Sequence, residues 1–200
     1  MDLGHARKLR ASELSGPLGK TWYLLHHGVV HPAKPGRPRV VFDCSAVHDG
    51  VSLNGALQTG PDLLTSLIGC LLRFRQHRIG LSADIAKMYH QVHVQPAELS
   101  VLRFLWREQG STSSPETYQM LVHIFGAVSS PTTCIYALNR TAQDNKEEFP
   151  DLVQKMREFY VDNYLDSVDD EATAISTQKR LTAWGFPSHE VAFIIERSFC

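Results

Sequence analysis

The segment FYVDNYLDSV, residues 159–168, constrains the fold of this 200-residue chain more than any other. Strand-forming residues lie on both sides of Asp162-Asn163, a dipeptide typical of tight turns, so the pattern predicts a β-hairpin with a carboxylate at its tip. A second predicted strand, residues 79–84, has alternating apolar residues and ends in Asp84. Two such strands can pair and hold both carboxylates around divalent metal ions, as two-metal phosphoryl transfer requires.

A helix is predicted between these two strands, within residues 123–145. Ser130 is a suitable N-cap, Pro131 suits the first helical position, and apolar residues follow at helical spacing: Cys134, Ile135, Leu138 and Ala142. The preceding loop contains Gly126 and other small residues, so a nucleotide could lie against its backbone. Each motif alone is also compatible with an ordinary turn, cap or packed helix. The prediction of chemistry therefore depends on the three occurring together.

Four motifs occur in one order along the chain: VVFDCSA (40–46), SADIAKMYHQV (82–92), FGAVSSP (125–131) and FYVDNYLDSV (159–168). Together they resemble the reverse transcriptases of retroelements, and most closely the BEL/Pao group of long-terminal-repeat retrotransposons. The resemblance covers residues 1–183 and includes flanking sequences such as LGHARKL (3–9) and GPDLLTSLIGCLLRFR (60–75).

The resemblance implies an α/β (α+β) fold, namely a reverse transcriptase palm with partial fingers, in which helices back an antiparallel sheet. Fingers elements would occupy residues 20–78 and the palm residues 79–183. Residues 184–200 would be a divergent tail, and the thumb is expected to be absent. We therefore expect a fragment of a retroelement polyprotein or a decayed genomic copy.

The resemblance also implies a metal site. Asp84 and Asp162, together with the backbone carbonyl of Ile85, would bind two Mg²⁺ or Mn²⁺ ions. Asn163 would join the catalytic residues at a position where the family usually has a second aspartate. Because asparagine offers a carbonyl oxygen but no negative charge, weaker metal binding and reduced turnover are expected.

Nucleotide contacts are implied at five positions: Arg39, Lys34, Tyr89, Phe125 and Gly126. Arg39 and Lys34, or Arg37 in place of the lysine, would hold the triphosphate. The Tyr89 ring would lie under the sugar and favour deoxynucleotides, and the loop at 125–126 would support the nascent base pair. The implied partners are an RNA or DNA template-primer, deoxynucleoside triphosphates and other parts of the parent polyprotein.

Composition and charge are those of a globular domain, with 43% hydrophobic and 20% charged residues. No apolar run approaches the ~20 residues of a membrane span, and the first residues lack the apolar core of a secretory signal. The four cysteines have no CxxC spacing, which predicts neither a disulfide framework nor a zinc site. We therefore expect no membrane partner and an intracellular, cytoplasmic location, in a virus-like particle for the parent element.

The net charge of −1 lacks the basic excess that many nucleic-acid-binding domains show. Basic residues are nevertheless concentrated in the first 40 residues, where seven Lys or Arg accompany two Asp or Glu. This distribution is compatible with a basic surface for a phosphate backbone, and equally with an unevenly charged solvated surface.

Local patterns predict three further elements. Residues 1–20 read as a loop with a short helix, and the proline-rich stretch 32–39 (PAKPGRPR) reads as a hairpin loop between short strands. Residues 61–76 read as an amphipathic helix that starts near Asp62, and its apolar residues are expected to belong to the core.

Three functional hypotheses follow from these observations. The first is an RNA-directed DNA polymerase domain, and the second is a truncated, non-catalytic retroelement remnant that folds, with or without binding nucleic acid. Asn163 and the expected truncations favour the second hypothesis. The first is favoured by the presence of Asp84, Asp162, Tyr89 and Arg39. The third is a metal hydrolase built from His26, His27, His31 and an acidic residue, but adjacent histidines on a strand point to opposite faces and make a poor ligand pair.

Overall fold

A computed structural model of the chain describes residues 4–32 and 34–183. In chain order its strands and helices are β1 (Ala6–Lys8), β2 (Leu25–His31), β3 (Lys34–Asp43), α1 (Leu53–Ala56), α2 (Leu67–Phe74), β4 (Ile79–Asp84), β5 (Arg103–Trp106), β6 (Glu116–Met120), α3 (Ser130–Asp144), α4 (Leu152–Lys155), β7 (Phe159–Tyr160), β8 (Asn163–Val168) and α5 (Glu171–Ala183). Short 3-10 helices cover Ala11–Glu13, Met88–Gln91, Pro96–Leu102 and Met156–Glu158.

The chain forms two compact units. Unit 1 is drawn from Met1–Gly60 and Tyr89–Ser130, and unit 2 from Pro61–Met88 and Pro131–Cys200. Unit 1 contains an antiparallel sheet of order β1-β6-β5 and the two-stranded hairpin β2-β3. Its core is formed by apolar side chains from β5, β6, α1 and the segments that flank the strands: Leu24, Cys44, Leu53, Leu102, Phe104, Met120, Val122, Ile124 and Ala127.

Unit 2 contains an antiparallel sheet of order β4-β8-β7. Its buried residues include Leu81 on β4 and Tyr164 and Val168 on β8. The opposite face carries Gly80, where a Cβ would lie 2.9 Å from the Phe74 ring of α2. Glycine at this position therefore allows the helix to pack directly on the strand.

A buried carboxylate joins α2 to the segment that precedes β7. Glu158 is only 2% exposed, and its two oxygens lie 2.7 Å from Arg73 Nε and 2.8 Å from Arg157 Nε. Cys70 on α2 contributes to the same junction by donating from Sγ to the carbonyl of Arg157 at 3.4 Å. This cluster fixes α2 against the base of the β7–β8 hairpin.

The predicted arrangement of antiparallel strands backed by helices is confirmed. Residues 79–84 form β4, and a hairpin lies within 159–168. The predicted helix is α3, whose 15 residues make about four turns, and Cys134, Ile135 and Ala142 on it are buried.

The prediction of a hairpin loop at 32–39 is wrong in its extent, because β3 begins at Lys34. A two-stranded sheet leaves one side of each strand unpaired, so prolines can lie in β3 without removing a required hydrogen-bond donor. The pairing is irregular in this region, with a register shift between Val29 and His31.

The prediction for 61–76 is also wrong in two respects. The helix begins at Leu67, where the Ser66 hydroxyl accepts a hydrogen bond from the Gly69 amide at 3.3 Å, while Asp62 accepts one from the Leu64 amide at 2.9 Å. Most of the apolar residues expected in the core are exposed: Leu64, Leu67, Ile68, Leu71 and Leu72. The helix packs instead through the face that carries its cysteine and arginine, because these bond to the segment before β7.

Residues 1–20 contain a strand that local pattern did not predict. β1 pairs with β6 over three residues, from Ala6 opposite Met120 to Lys8 opposite Tyr118. Such a short, polar strand has no alternation to detect, and it forms because β6 offers it a free edge. Across the described residues, no helix has both the length and the apolar character needed to cross a lipid bilayer.

We predict that Glu158→Ala lowers the free energy of unfolding by about 3 kcal/mol, because it leaves the Arg73 guanidinium partly buried without its carboxylate. Urea denaturation measures the change. Arg140→Ala is the matched control, since it removes an exposed ion pair with Asp144 on the surface of α3. An unfolding midpoint for Glu158→Ala equal to that of the control would contradict the prediction.

Candidate functional site

Two paired strand ends bring the predicted catalytic residues of unit 2 together. β4 ends at Asp84, β8 begins at Asn163, and these two residues are opposite each other in the antiparallel ladder. The Ile85 amide donates a hydrogen bond to the carbonyl of Asp162 at 2.8 Å, which extends the pairing by one step beyond the strands. The four residues predicted as catalytic or metal-binding in this region are therefore neighbours.

The turn that carries Asp162 is displaced by one residue from the prediction. Its central residues are Val161 and Asp162, because Asn163 pairs with Tyr160 on β7 and with Asp84 on β4, and so belongs to a strand. Val161 has a φ of 58°, which is costly for a β-branched residue. The strained turn places the Asp162 carboxylate at the tip of the hairpin.

Asn163 forms a hydrogen bond with its neighbour at this tip. Its side-chain amide donates from Nδ2 to Oδ1 of Asp162 at 3.0 Å. A second aspartate at the same position could not donate this bond when ionised and would repel the first carboxylate. The chain thus has a hairpin tip with one negative charge and a stabilised carboxylate orientation.

A buried polar network supports the strand behind the tip. The Tyr164 hydroxyl donates to Oδ2 of Asp166 at 2.6 Å, the Ser167 amide donates to Oδ1 at 2.8 Å, and Lys155 pairs with the same carboxylate. Burial and the adjacent carboxylate raise the pKa of Tyr164 well above its usual value. The Tyr164 hydroxyl therefore remains a hydrogen-bond donor. Both carboxylate oxygens of Asp166 are engaged by this network.

The donor set at the strand ends suits a hard divalent cation. Asp84 and Asp162 supply carboxylates, and the Ile85 carbonyl has a second lone pair beside the one that accepts the Met88 amide at 3.1 Å. In residues 4–32 and 34–183, no cluster of three His, Cys, Asp or Glu side chains could hold a metal ion. Two carboxylates match the charge of one ion, so a second would need charge from substrate phosphates.

An aromatic pair in unit 1 contains two of the predicted nucleotide contacts. The Tyr89 ring is 8% exposed, and its centroid lies 4.3 Å from that of Phe125 in an edge-to-face arrangement. Phe125 itself is 53% exposed, and its ring centroid lies 6.2 Å from that of His90. The pair thus combines a fixed, buried ring with an accessible one.

Gly126 holds the loop beside this pair close to the end of β3. Its φ is 100°, and a Cβ would lie 2.7 Å from the carbonyl oxygen of Phe42. Only glycine combines that conformation with that approach. The thiol of Cys44 lies beneath the same glycine, and burial raises its pKa to about 11, so it remains protonated at neutral pH.

Asn54 is a residue of this region that our reading of the sequence missed. Its side chain bonds to the Gly126 carbonyl and to the Val128 amide, on either side of Ala127. Ser52, a suitable N-cap, could have predicted the start of α1 from local sequence. No local signal connects it to a loop more than 70 residues away.

Of the residues predicted to contact the triphosphate, only Arg39 has a described side chain. Arg39 lies exposed on β3, opposite Val29 on β2. The backbone of Lys34 starts β3, but its side chain and that of Arg37 lie outside the described residues. Neither contact is tested further by the structure.

The histidines of the third hypothesis do not converge in the described part of the chain. His26 packs with its ring centroid 5.5 Å from Phe104 and 5.9 Å from Trp106. The adjacent His27 is exposed on the other face of β2, as strand alternation predicts. The His31 side chain lies outside the described residues.

We predict that Val161→Gly is more stable than Val161→Ala by about 1 kcal/mol, because only glycine relieves the left-handed φ at this turn. Both variants remove the two methyl groups of Val161 and differ only in the Cβ atom, so each serves as the control of the other. Urea denaturation followed by circular dichroism measures the difference. The ordinary order, with alanine more stable, would show that the turn is unstrained.

Comparison with solved structures identifies the fold. A selenomethionine-labelled CSH mutant of prototype foamy virus protease-reverse transcriptase matches with a TM-score of 0.63 and 16% identity, over 94% of this chain and 21% of the viral one. The foamy viral enzyme in complex with double-stranded DNA matches with a TM-score of 0.61 and 13% identity, over 98% and 28%. The same enzyme in complex with an RNA/DNA hybrid matches with a TM-score of 0.61 and 12% identity, over 90% and 20%.

No protein-family model and no curated protein matches the sequence. The chain spans less than a third of the length of each of these viral chains. Identities of this size show the fold alone, so the BEL/Pao assignment and the boundaries of fingers and palm remain predictions. The fold of the chain is that of a reverse transcriptase.

Proposed function

We propose that the chain is an RNA-directed DNA polymerase domain of a BEL/Pao-type retrotransposon, which transfers nucleotides to a primer 3′-hydroxyl. The observation that supports this proposal is the register that places Asp84 beside Asn163 and Asp162 within a reverse transcriptase fold. The order of the four sequence motifs supports the retrotransposon assignment. This role implies a cytoplasmic location, within the virus-like particle of the parent element.

Asp84, Asp162 and the Ile85 carbonyl are the groups that would hold Mg²⁺ or Mn²⁺, expected as two ions. When bound, these ions would activate the primer hydroxyl and neutralise charge on the triphosphate and the leaving pyrophosphate. The Asn163 amide holds the Asp162 carboxylate in orientation through its hydrogen bond. Because asparagine contributes no charge, the chain binds its metals more weakly than one with two adjacent aspartates.

The aromatic pair of unit 1 is assigned to the incoming nucleotide. Tyr89 is buried against Phe125, so its ring cannot move aside for a 2′-hydroxyl without breaking that contact. The exposed face of Phe125 offers a surface for stacking against a base. Arg39 and Lys34 supply cations for the β and γ phosphates.

An RNA or DNA template-primer is the proposed macromolecular partner. The matching foamy viral structures are complexes with double-stranded DNA and with an RNA/DNA hybrid. Base pairing would select the nucleotide, so the protein needs to contact the sugar-phosphate backbone without reading sequence. Other parts of the parent polyprotein are the second proposed class of partner.

A non-catalytic remnant is the second candidate function. Asn163 in place of a charged ligand is the observation that favours it. In this alternative the domain folds and keeps its aromatic pair, but does not turn over.

Primer extension on an RNA template, with Mg²⁺ or Mn²⁺, tests the proposal. We expect extension by the wild-type chain, a loss of at least about 100-fold in Asp84→Ala, and faster extension by Asn163→Asp. Asp144→Ala is the matched control, because it removes an exposed carboxylate from α3. Activity only in Asn163→Asp would support a disabled site, and no extension by any variant would contradict the catalytic proposal.

Tyr89→Ala tests the assignment of the nucleotide contact. We predict that the preference for deoxynucleotides over ribonucleotides falls by about 10- to 100-fold, because the smaller side chain leaves space for a 2′-hydroxyl. Single-nucleotide extension with dNTP and rNTP measures this ratio. Tyr136→Ala is the control, since this tyrosine is exposed on α3. An unchanged ratio in Tyr89→Ala would remove the ring from the sugar site.

A further inference from the structure

We infer that Asn54 is a positioning residue that holds the Phe125–Gly126 loop in the geometry needed for nucleotide contact. This inference rests on the proposed function of that loop. Asn54 lies on α1, far in sequence from the loop, and its side chain hydrogen-bonds to the loop backbone. It is a positioning residue because it acts through Gly126 and Phe125.

The Asn54 amide bonds to the loop backbone at two points. Nδ2 donates to the Gly126 carbonyl at 2.9 Å, and Oδ1 accepts from the Val128 amide at 3.0 Å. Between these points lies Ala127, which is buried. Two bonds that straddle one residue fix both the position and the direction of the backbone.

Asn54 is itself held firmly enough to serve as an anchor. Its backbone amide donates to the Cys44 carbonyl at 2.9 Å, and Nδ2 also donates to Ser45 Oγ at 3.1 Å. The preceding Leu53 is buried in the core of unit 1. The Asn54 side chain therefore holds the loop at a fixed position relative to the core of unit 1.

The loop needs such an anchor because of its backbone conformation. Gly126 lies close to the Phe42 carbonyl with a positive φ, and glycine is free to leave that conformation. Phe125 is more than half exposed, so packing alone does not fix its ring. Without Asn54, the edge-to-face contact between Phe125 and Tyr89 would lose its backbone support.

Only an amide side chain satisfies both loop contacts. An asparagine presents one donor and one acceptor at adjacent positions, which matches a carbonyl and an N–H separated by one residue. An ionised aspartate keeps the acceptor for Val128 but sets an oxygen against the Gly126 carbonyl. Asn54→Asp therefore removes the donor to Gly126 and to Ser45, and keeps the acceptor for Val128 and the size of the side chain.

The first test measures loop position without any activity. Hydrogen exchange by NMR should show the Val128 amide exchanging at least about tenfold faster in Asn54→Ala than in the wild type. The matched control is Ser52→Ala, which removes the cap that Ser52 Oγ provides to the Gly55 amide and leaves both loop bonds in place. Wild-type protection of Val128 in Asn54→Ala, or equal loss of protection in Ser52→Ala, would overturn the inference.

The second test separates positioning from general destabilisation. In single-nucleotide extension we expect the KM for dNTP to rise about tenfold in Asn54→Ala and Asn54→Asp, with kcat within about threefold of wild type. Ser52→Ala should leave KM unchanged. A fall in kcat alone, or an equal KM change in Ser52→Ala, would show a merely structural role. If the wild type does not extend primers, the proposed function fails, and the exchange result alone decides whether Asn54 holds the loop.

Discussion

The antiparallel ladder between β4 and β8 is the interaction on which the candidate metal site depends. Six consecutive residue pairs join the strands, from Ile79 opposite Val168 to Asp84 opposite Asn163. A slip of one residue would turn every side chain to the other face of the sheet. The buried side chains of Leu81 and Tyr164 oppose such a slip, so apolar burial sets the position of the carboxylates.

Buried charges then connect the helices to this sheet. Glu158 bonds two arginines beside α2, and Asp166 bonds Tyr164 and Lys155 beside α4. An unpaired carboxylate in these positions would be costly, so each cluster persists only when its partners are in place. At the hairpin tip itself, the Ile85 amide donates to the Asp162 carbonyl at 2.8 Å and so helps to hold the strained turn at Val161.

Strand alternation and helix caps allowed much of this fold to be predicted. The alternation at 79–84 and the Ser130-Pro131 start of α3 are local signals, and both elements form as expected. The exposed apolar side of α2 was not predictable, because periodicity identifies an apolar face but not what packs against it. The turn at 161–162 was misplaced by one residue, since pairing with a third strand decides which residues stay extended.

In the candidate site too, residues within sequence motifs were predicted, whereas residues that act through tertiary contacts were not. Asp84, Asp162 and Tyr89 were predicted from motifs. The role of Asn54 was not, because its side chain bonds to a loop that is distant in sequence and no local pattern indicates such a contact. Asn163 is the position where the sequence departs from the motif of the family that it resembles, and its side-chain amide donates a hydrogen bond to the Asp162 carboxylate. The site thus combines a reverse transcriptase fold with a hairpin tip of reduced charge.

The central claim is that the paired ends of β4 and the β7–β8 turn form a divalent metal site. Electron paramagnetic resonance of Mn²⁺, titrated into the purified chain, measures this most directly. The account predicts that the wild type binds Mn²⁺ and that Asp84→Asn and Asp162→Asn each weaken binding by at least about tenfold, while the exposed control Asp144→Asn does not. Equal Mn²⁺ affinity in all four proteins would contradict it.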